Sequence, residues 1–201
     1  RRAGVRLDGD EFVWNWMDDL SEDGAEAQVA QRFQLADSYI TEVCPRAQAW
    51  IRALASCLNQ GVVLIVDYGF PRAEYYLPQR AQGALRCHYR HRAHDNPFLY
   101  PGLQDITCHV DFSALADAGH EAGLELLGYT SQEAYLLSLG LMELAVPRED
   151  DDEQAILARS KEIKHLVLPS QMGEACKVMA LGKRLTRPLD GFSLRDRSAS
   201  L

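Results

Sequence analysis

Gly61-Val62-Val63-Leu64-Ile65-Val66-Asp67-Tyr68-Gly69 constrains the fold of this chain more than any other stretch. Four of the five residues from Val62 to Val66 are β-branched, and no polar residue interrupts them. Such a run suits a strand covered on both faces, as in a parallel sheet. It is the longest uninterrupted apolar run in the chain and far too short to span a bilayer.

The flanks supply helices. Pro45 fits a first helical turn, where its missing N–H costs nothing. Trp50, Ile51, Leu54, Ala55 and Leu58 then form an apolar stripe that Gly61 is placed to end. Upstream, Val29, Ala30, Phe33 and Ala36 carry helical spacing within 25–39. Val5-Arg6-Leu7 and Phe12-Val13-Trp14 flank Asp8-Gly9-Asp10, which reads as a hairpin. Downstream, 70–108 contains four prolines and little periodicity, so a long loop is expected there. Asp111 is placed to cap a helix from Phe112 to about Ala122, with Gly123 past its end. Leu124–Tyr129 reads as a strand. Thr130-Ser-Gln-Glu133 reads as a capping box opening the next helix, through Leu141. A further helix over about 152–166 has an acidic first turn, and Ala175–Leu181 is the last strand. Helices alternating with buried strands describe an α/β fold, with a parallel crossover allowed between Val62–Val66 and Leu124–Tyr129.

Composition narrows the function. The chain has 201 residues, 47% of them hydrophobic, enough for a sizeable core. Its formal net charge of -8 argues against nucleic acid as a partner, because phosphate backbones demand positive charge. The cysteines, Cys44, Cys57, Cys87, Cys108 and Cys176, show no CxxC spacing. Reduced, mostly buried thiols in a cytoplasmic setting are expected, without a structural zinc site. No apolar stretch follows the N-terminal arginines as in a signal peptide.

Several polar groups are placed for chemistry. Asp67 and Tyr68 end the most apolar strand, and ligands of open α/β sheets gather at the carboxyl ends of strands. Asp67 either orients a substrate N–H or accepts a proton there, or it caps the following turn. Residues 86–95 gather three arginines and three histidines: His88, His91 and His94. They either shape a polar or anion-holding pocket or form solvated surface. His109 and Asp111 alternate with Val110, so they can share one face of an extended segment. His109 is a candidate proton acceptor beside a capping aspartate. The three-residue histidine spacing raises a metal-dependent hydrolase as an alternative, but helix-borne HExxH is absent and no metal is expected. GxSxG and Walker A patterns are absent as well.

Taken together, Val62–Gly69, Glu74-Tyr-Tyr76, Gly83–His94, Pro101–Phe112, Gln171-Met-Gly-Glu174 and Lys177–Gly182 resemble the MidA family of methyltransferases, which use S-adenosylmethionine (SAM). Gly191-Phe192 and Asp196-Arg-Ser198 resemble that family's C-terminus. The resemblance implies the C-terminal half of a class I methyltransferase fold, Rossmann-like and seven-stranded. Val62–Val66 would be its fifth strand, and Leu124–Tyr129 and Ala175–Leu181 its closing pair, the last strand inserted antiparallel. It implies SAM as cofactor and a protein substrate. A mitochondrial relative is an arginine methyltransferase acting on a respiratory complex I subunit.

The resemblance also makes Asp67, Tyr68, His91, His94, His109 and Asp111 the candidates to line an acceptor pocket. The family's glycine-rich cofactor turn has no counterpart in residues 1–201 and is expected N-terminal to Arg1. Residues 1–201 are thus expected to form the C-terminal part of one domain, poor at binding SAM alone and prone to self-association as a homo-oligomer. A non-catalytic binding or assembly module is the other alternative.

Overall fold

The structure, a computed structural model, describes residues 1–18 and 25–201. In chain order, the described residues form strands β1 (Arg2–Asp8) and β2 (Glu11–Met17), helices α1 (Ala25–Phe33) and α2 (Pro45–Cys57), strand β3 (Gly61–Phe70) and the one-turn helix α3 (Arg72–Tyr75). Strands β4 (Arg86–Tyr89), β5 (Arg92–His94), β6 (Asp105–Thr107) and β7 (Val110–Asp111) follow, leading into helix α4 (Phe112–Glu121). Next come β8 (Glu125–Ser131), α5 (Gln132–Ser138), α6 (Leu141–Leu144), α7 (Glu153–Val167), α8 (Met172–Ala175) and β9 (Cys176–Lys183). The chain divides into two compact units. One comprises Arg1–Pro45 and Tyr76–His109; the other comprises Arg46–Tyr75 and Val110–Leu201.

In the first unit β1 and β2 pair antiparallel around Gly9-Asp10, with Gly9 at positive φ as the Asp-Gly signal predicts. The register sets Ala3, Val5 and Leu7 opposite Trp16, Trp14 and Phe12. Period-two alternation therefore gathers these six on one face. Phe98 lies edge-on to Trp14, with ring centroids 5.0 Å apart. The stretch 70–108 is more ordered than expected. It holds α3 and, within this unit, a three-stranded antiparallel sheet of order β5-β4-β6. Short strands with few apolar positions escape a periodicity argument. Farther along, the Glu42 carboxylate accepts the backbone N–H groups of Ala84 and Leu85, which fixes the chain entering β4.

The second unit is built on a sheet of order β7-β3-β9-β8. Strand β9 runs antiparallel to both neighbours, so β3 and β8 run parallel to each other. This is the closing arrangement the resemblance implies. Ile51 and Ala55 of α2, Phe112, Leu115 and Ala118 of α4, Leu124, Tyr129, Met179 and Leu181 form the core on one face. Val178, Ala180 and Phe192 form a smaller cluster on the other.

The expectation that β3 is covered on both faces is corrected. Its burial alternates, with Leu64, Val66 and Tyr68 exposed while Val63 and Ile65 pack on the core. An unbroken apolar run carries no information on which face this chain covers. The expectation of mostly buried cysteines also fails: Cys44, Cys57 and Cys108 are exposed, and Cys87 and Cys176 are buried.

Boundaries follow the local chemistry. Asp111 and Asp152 cap α4 and α7 by accepting the N–H of Ala114 and Ala155. Ser131, one residue later than expected, caps α5, and Gly140 at φ 80° separates α5 from α6. Helix α1 stops at Phe33, where Gln34 takes φ 50°.

Candidate functional site

The site begins with the carboxyl end of β3. The pairing with β9 places Asp67 beside Lys177 and Tyr68 beside Cys176. Asp67 is exposed, and its Oδ1 accepts the N–H of Tyr68 at 2.7 Å. The Tyr68 side chain sits on the opposite face, half exposed; partial burial, then Cys176 and Asp67, raise its pKa. Gly69 is fully buried, and a Cβ built there would lie 2.2 Å from the Val110 carbonyl oxygen. Glycine is thus what lets β7 come alongside, pairing Gly69 with Val110 and Phe70 with Asp111. The two stretches that carried the resemblance, Asp67–Gly69 and Val110–Phe112, are neighbours through this contact.

Asp111 is largely occupied. Its Oδ1 accepts the Ala114 N–H at 3.0 Å, and its Oδ2 lies 3.8 Å from Arg72 Nε. Burial raises its pKa, against the pull of the capping N–H and of Arg72. Arg72 in turn donates to Asp117 at 2.7 Å, and its backbone N–H donates to Ser113 Oγ. Asp111 therefore anchors α4, the capping alternative, while Asp67 is the carboxylate that faces solvent.

Sequence reasoning missed the groups that join Asp67 at this end of the sheet. Lys177 is buried, donates to Glu174 Oε1 at 3.0 Å, and lies 5.8 Å from the Phe70 ring centroid. Arg197 donates to the same carboxylate at 2.8 Å, and its backbone N–H donates to the Tyr129 carbonyl. Burial pushes the Glu174 pKa up, but the bonds from Arg197 and Lys177 outweigh it and hold the carboxyl below its ordinary value. Tyr129 is fully buried, and its hydroxyl has no hydrogen-bond partner among the described residues. Burial raises its pKa strongly. Two cations thus share one carboxylate, and Lys177 is the one paired with Asp67 across the ladder. The signal was the lysine inside a strand of otherwise apolar or small residues from Cys176 to Gly182.

The three histidine candidates belong to the first unit. His91 is exposed in the two-residue loop between β4 and β5. His94 lies edge-on to Tyr100 at 5.9 Å, and neither ring nitrogen has a hydrogen-bond partner among the described residues. His109 is half-buried and directly precedes β7. The register pairs His88 with Ala93 and Cys87 with His94, so His88 and His94 face opposite sides of their sheet. Among the described residues no group of three or more His, Cys, Asp or Glu is placed to hold a metal ion. Gly69, the glycine that ends β3, is filled by Val110 and Phe112, and α3 behind it has one turn. These groups do not by themselves make a cradle for SAM, which needs close backbone approach at a glycine turn.

A mixed sheet with one antiparallel strand between two parallel ones, and polar groups gathered at the carboxyl end of β3, defines an α/β protein with the Rossmann-like methyltransferase fold. Residues 1–130 match the family described as "Putative S-adenosyl-L-methionine-dependent methyltransferase", and the chain belongs to that family. The fold matches a COG1565 superfamily member from Burkholderia thailandensis, crystallised with S-adenosyl-homocysteine bound, at a TM-score of 0.91 and 42% identity over 99% of this chain and 51% of that one. A native crystal structure of a COG1565 superfamily protein from the same organism matches at a TM-score of 0.87 and 42% identity, over 99% and 53% of the two chains. The mitochondrial protein arginine methyltransferase NDUFAF7 of Danio rerio is 31% identical over 138 residues, 66% of this chain and 30% of that protein. The chain thus spans about half the length of these solved relatives and under a third of the curated one. Among the described residues no helix is long and apolar enough to cross a membrane.

Proposed function

We propose that this chain supplies the acceptor-facing part of a SAM-dependent methyltransferase whose acceptor is an arginine side chain of a protein. The observation that carries this reading is Asp67, a solvent-facing carboxylate at the carboxyl end of β3, with one oxygen engaged by its own neighbour's N–H and the other without a partner among the described residues. Methyl transfer is an in-line displacement that depends chiefly on holding the acceptor nitrogen in place. A carboxylate binds a guanidinium through paired N–H groups and orients it. Tyr68 and Gly69 fix the backbone that aims Asp67, and Asp111 holds α4 beside it. His91, His94 and His109 belong to the other unit, and this reading gives them no step. The cofactor supplies the methyl group, and its glycine turn comes from outside residues 1–201. That remainder would cover the exposed face of β3. Family membership, the S-adenosyl-homocysteine in the Burkholderia structure and the zebrafish protein's name support the reading. A respiratory-complex subunit is the first acceptor to try.

Calorimetric titration with S-adenosyl-homocysteine tests it, on this chain and on a version extended upstream to the relatives' length. Saturable binding by the extended version alone is expected, and binding by neither refutes the reading. In the extended version, Asp67→Asn should lower methyl transfer to an arginine peptide by about 100-fold while cofactor binding stays unchanged. Undiminished turnover removes Asp67 from the site.

A further inference from the structure

The tip of the β4–β5 hairpin combines backbone strain with unpaired positive charge in an acidic chain. Tyr89 pairs with Arg92, so Arg90 and His91 alone make the loop, at φ 47° and 63°. Positive φ at both positions is the geometry of a type I′ turn, which Asn-Gly or Gly-Gly adopts readily. L side chains are disfavoured there, and arginine gains nothing from the conformation. Arg90, His91 and Arg92 are all exposed. Arg86 is paired with Asp95, whereas Arg90 and Arg92 have no carboxylate partner among the described residues.

Aromatic rings hold the tip. The Arg90 guanidinium lies 5.3 Å from the Tyr89 ring centroid, and Tyr89 stacks on Tyr100 at 4.2 Å. Arg92 sits directly across the ladder from Tyr89 and so shares its face. A guanidinium held over a ring keeps N–H groups free to donate in a pair to a carboxylate.

We propose that this tip is a docking site for an acidic segment of a protein partner. The site goes beyond methyl transfer and does not depend on it. Two guanidiniums within one turn suit a pair of neighbouring carboxylates. A nucleic-acid backbone would meet the net charge of -8 along its whole length.

The test is fluorescence anisotropy of a labelled oligoglutamate peptide on the full chain at low salt, with oligoglutamine of the same length as control. Wild type binds oligoglutamate in a salt-dependent way and ignores oligoglutamine. Arg90→Asn combined with His91→Gly should raise the melting temperature by a few degrees while weakening oligoglutamate binding about tenfold. Arg92→Gln should weaken binding by a similar factor with no change in melting temperature. The proposal is overturned if either variant binds like wild type, if oligoglutamine binds equally, or if the double variant melts no higher.

Discussion

Tyr89, Tyr100 and His94 organise the β4–β5 hairpin through ring contacts on a half-exposed surface, whereas Ile51, Phe112, Tyr129, Met179 and Leu181 organise the sheet of the second unit by complete burial. The two units draw their order from different sources. In the second unit, order comes from apolar area removed from water and close packing, so it is tolerant of surface change and sensitive to volume. In the first, it comes from individual contacts, a ring stack and the Glu42 carboxylate among them, set against the cost of a strained turn. Such contacts are each modest, and each can be lost or improved singly.

Substitutions sharpen this contrast. The largest effect is expected from Phe112→Ala, which removes a fully buried ring between α4 and Tyr129 and should cost about 3–5 kcal/mol in chemical denaturation. Tyr100→Ala in the first unit should leave the main denaturation transition within about 1 kcal/mol of wild type. Equal losses would erase the distinction between the units. Gly69→Ala comes next. Its Cβ meets the Val110 carbonyl, so β7 must move, at about 1–3 kcal/mol or more, with faster amide exchange across Gly69–Asp111. Unchanged exchange there would mean that the glycine does not set the approach of β7.

The smallest effect concerns charge. Glu174→Gln should destabilise at neutral pH by about 1 kcal/mol, limited because the carboxyl is partly exposed. The carboxyl's pKa is lowered in the folded state, so its contribution is full above the unfolded value and is lost as pH falls through the folded one. Melting curves of wild type and variant should therefore converge on acidification. A gap that persists at low pH would show that packing, not charge, accounts for the role of Glu174.

Much of the fold was legible because each element announced itself locally. Asp111 before apolar helical spacing and the acidic run ahead of α7 marked helix starts, Asp-Gly marked the β1–β2 turn, and Pro45 marked α2. The site was legible only in part. Asp67 could be named from its place at the end of a β-branched strand. Arg197 could not, because it reaches Glu174, three residues before Lys177, from beyond the end of β9, and nothing in its own segment records that meeting.

Outside 70–108, the amino-acid sequence alone determined most of the segments that become strands and helices, since propensity, capping and turn chemistry act within a few residues. The order β7-β3-β9-β8, the exposed face of β3 and the clustering of Lys177, Glu174 and Arg197 near Asp67 were decided by the tertiary structure. Those outcomes depend on which distant surfaces meet, and an apolar run such as Val62–Val66 is equally compatible with one covered face or two.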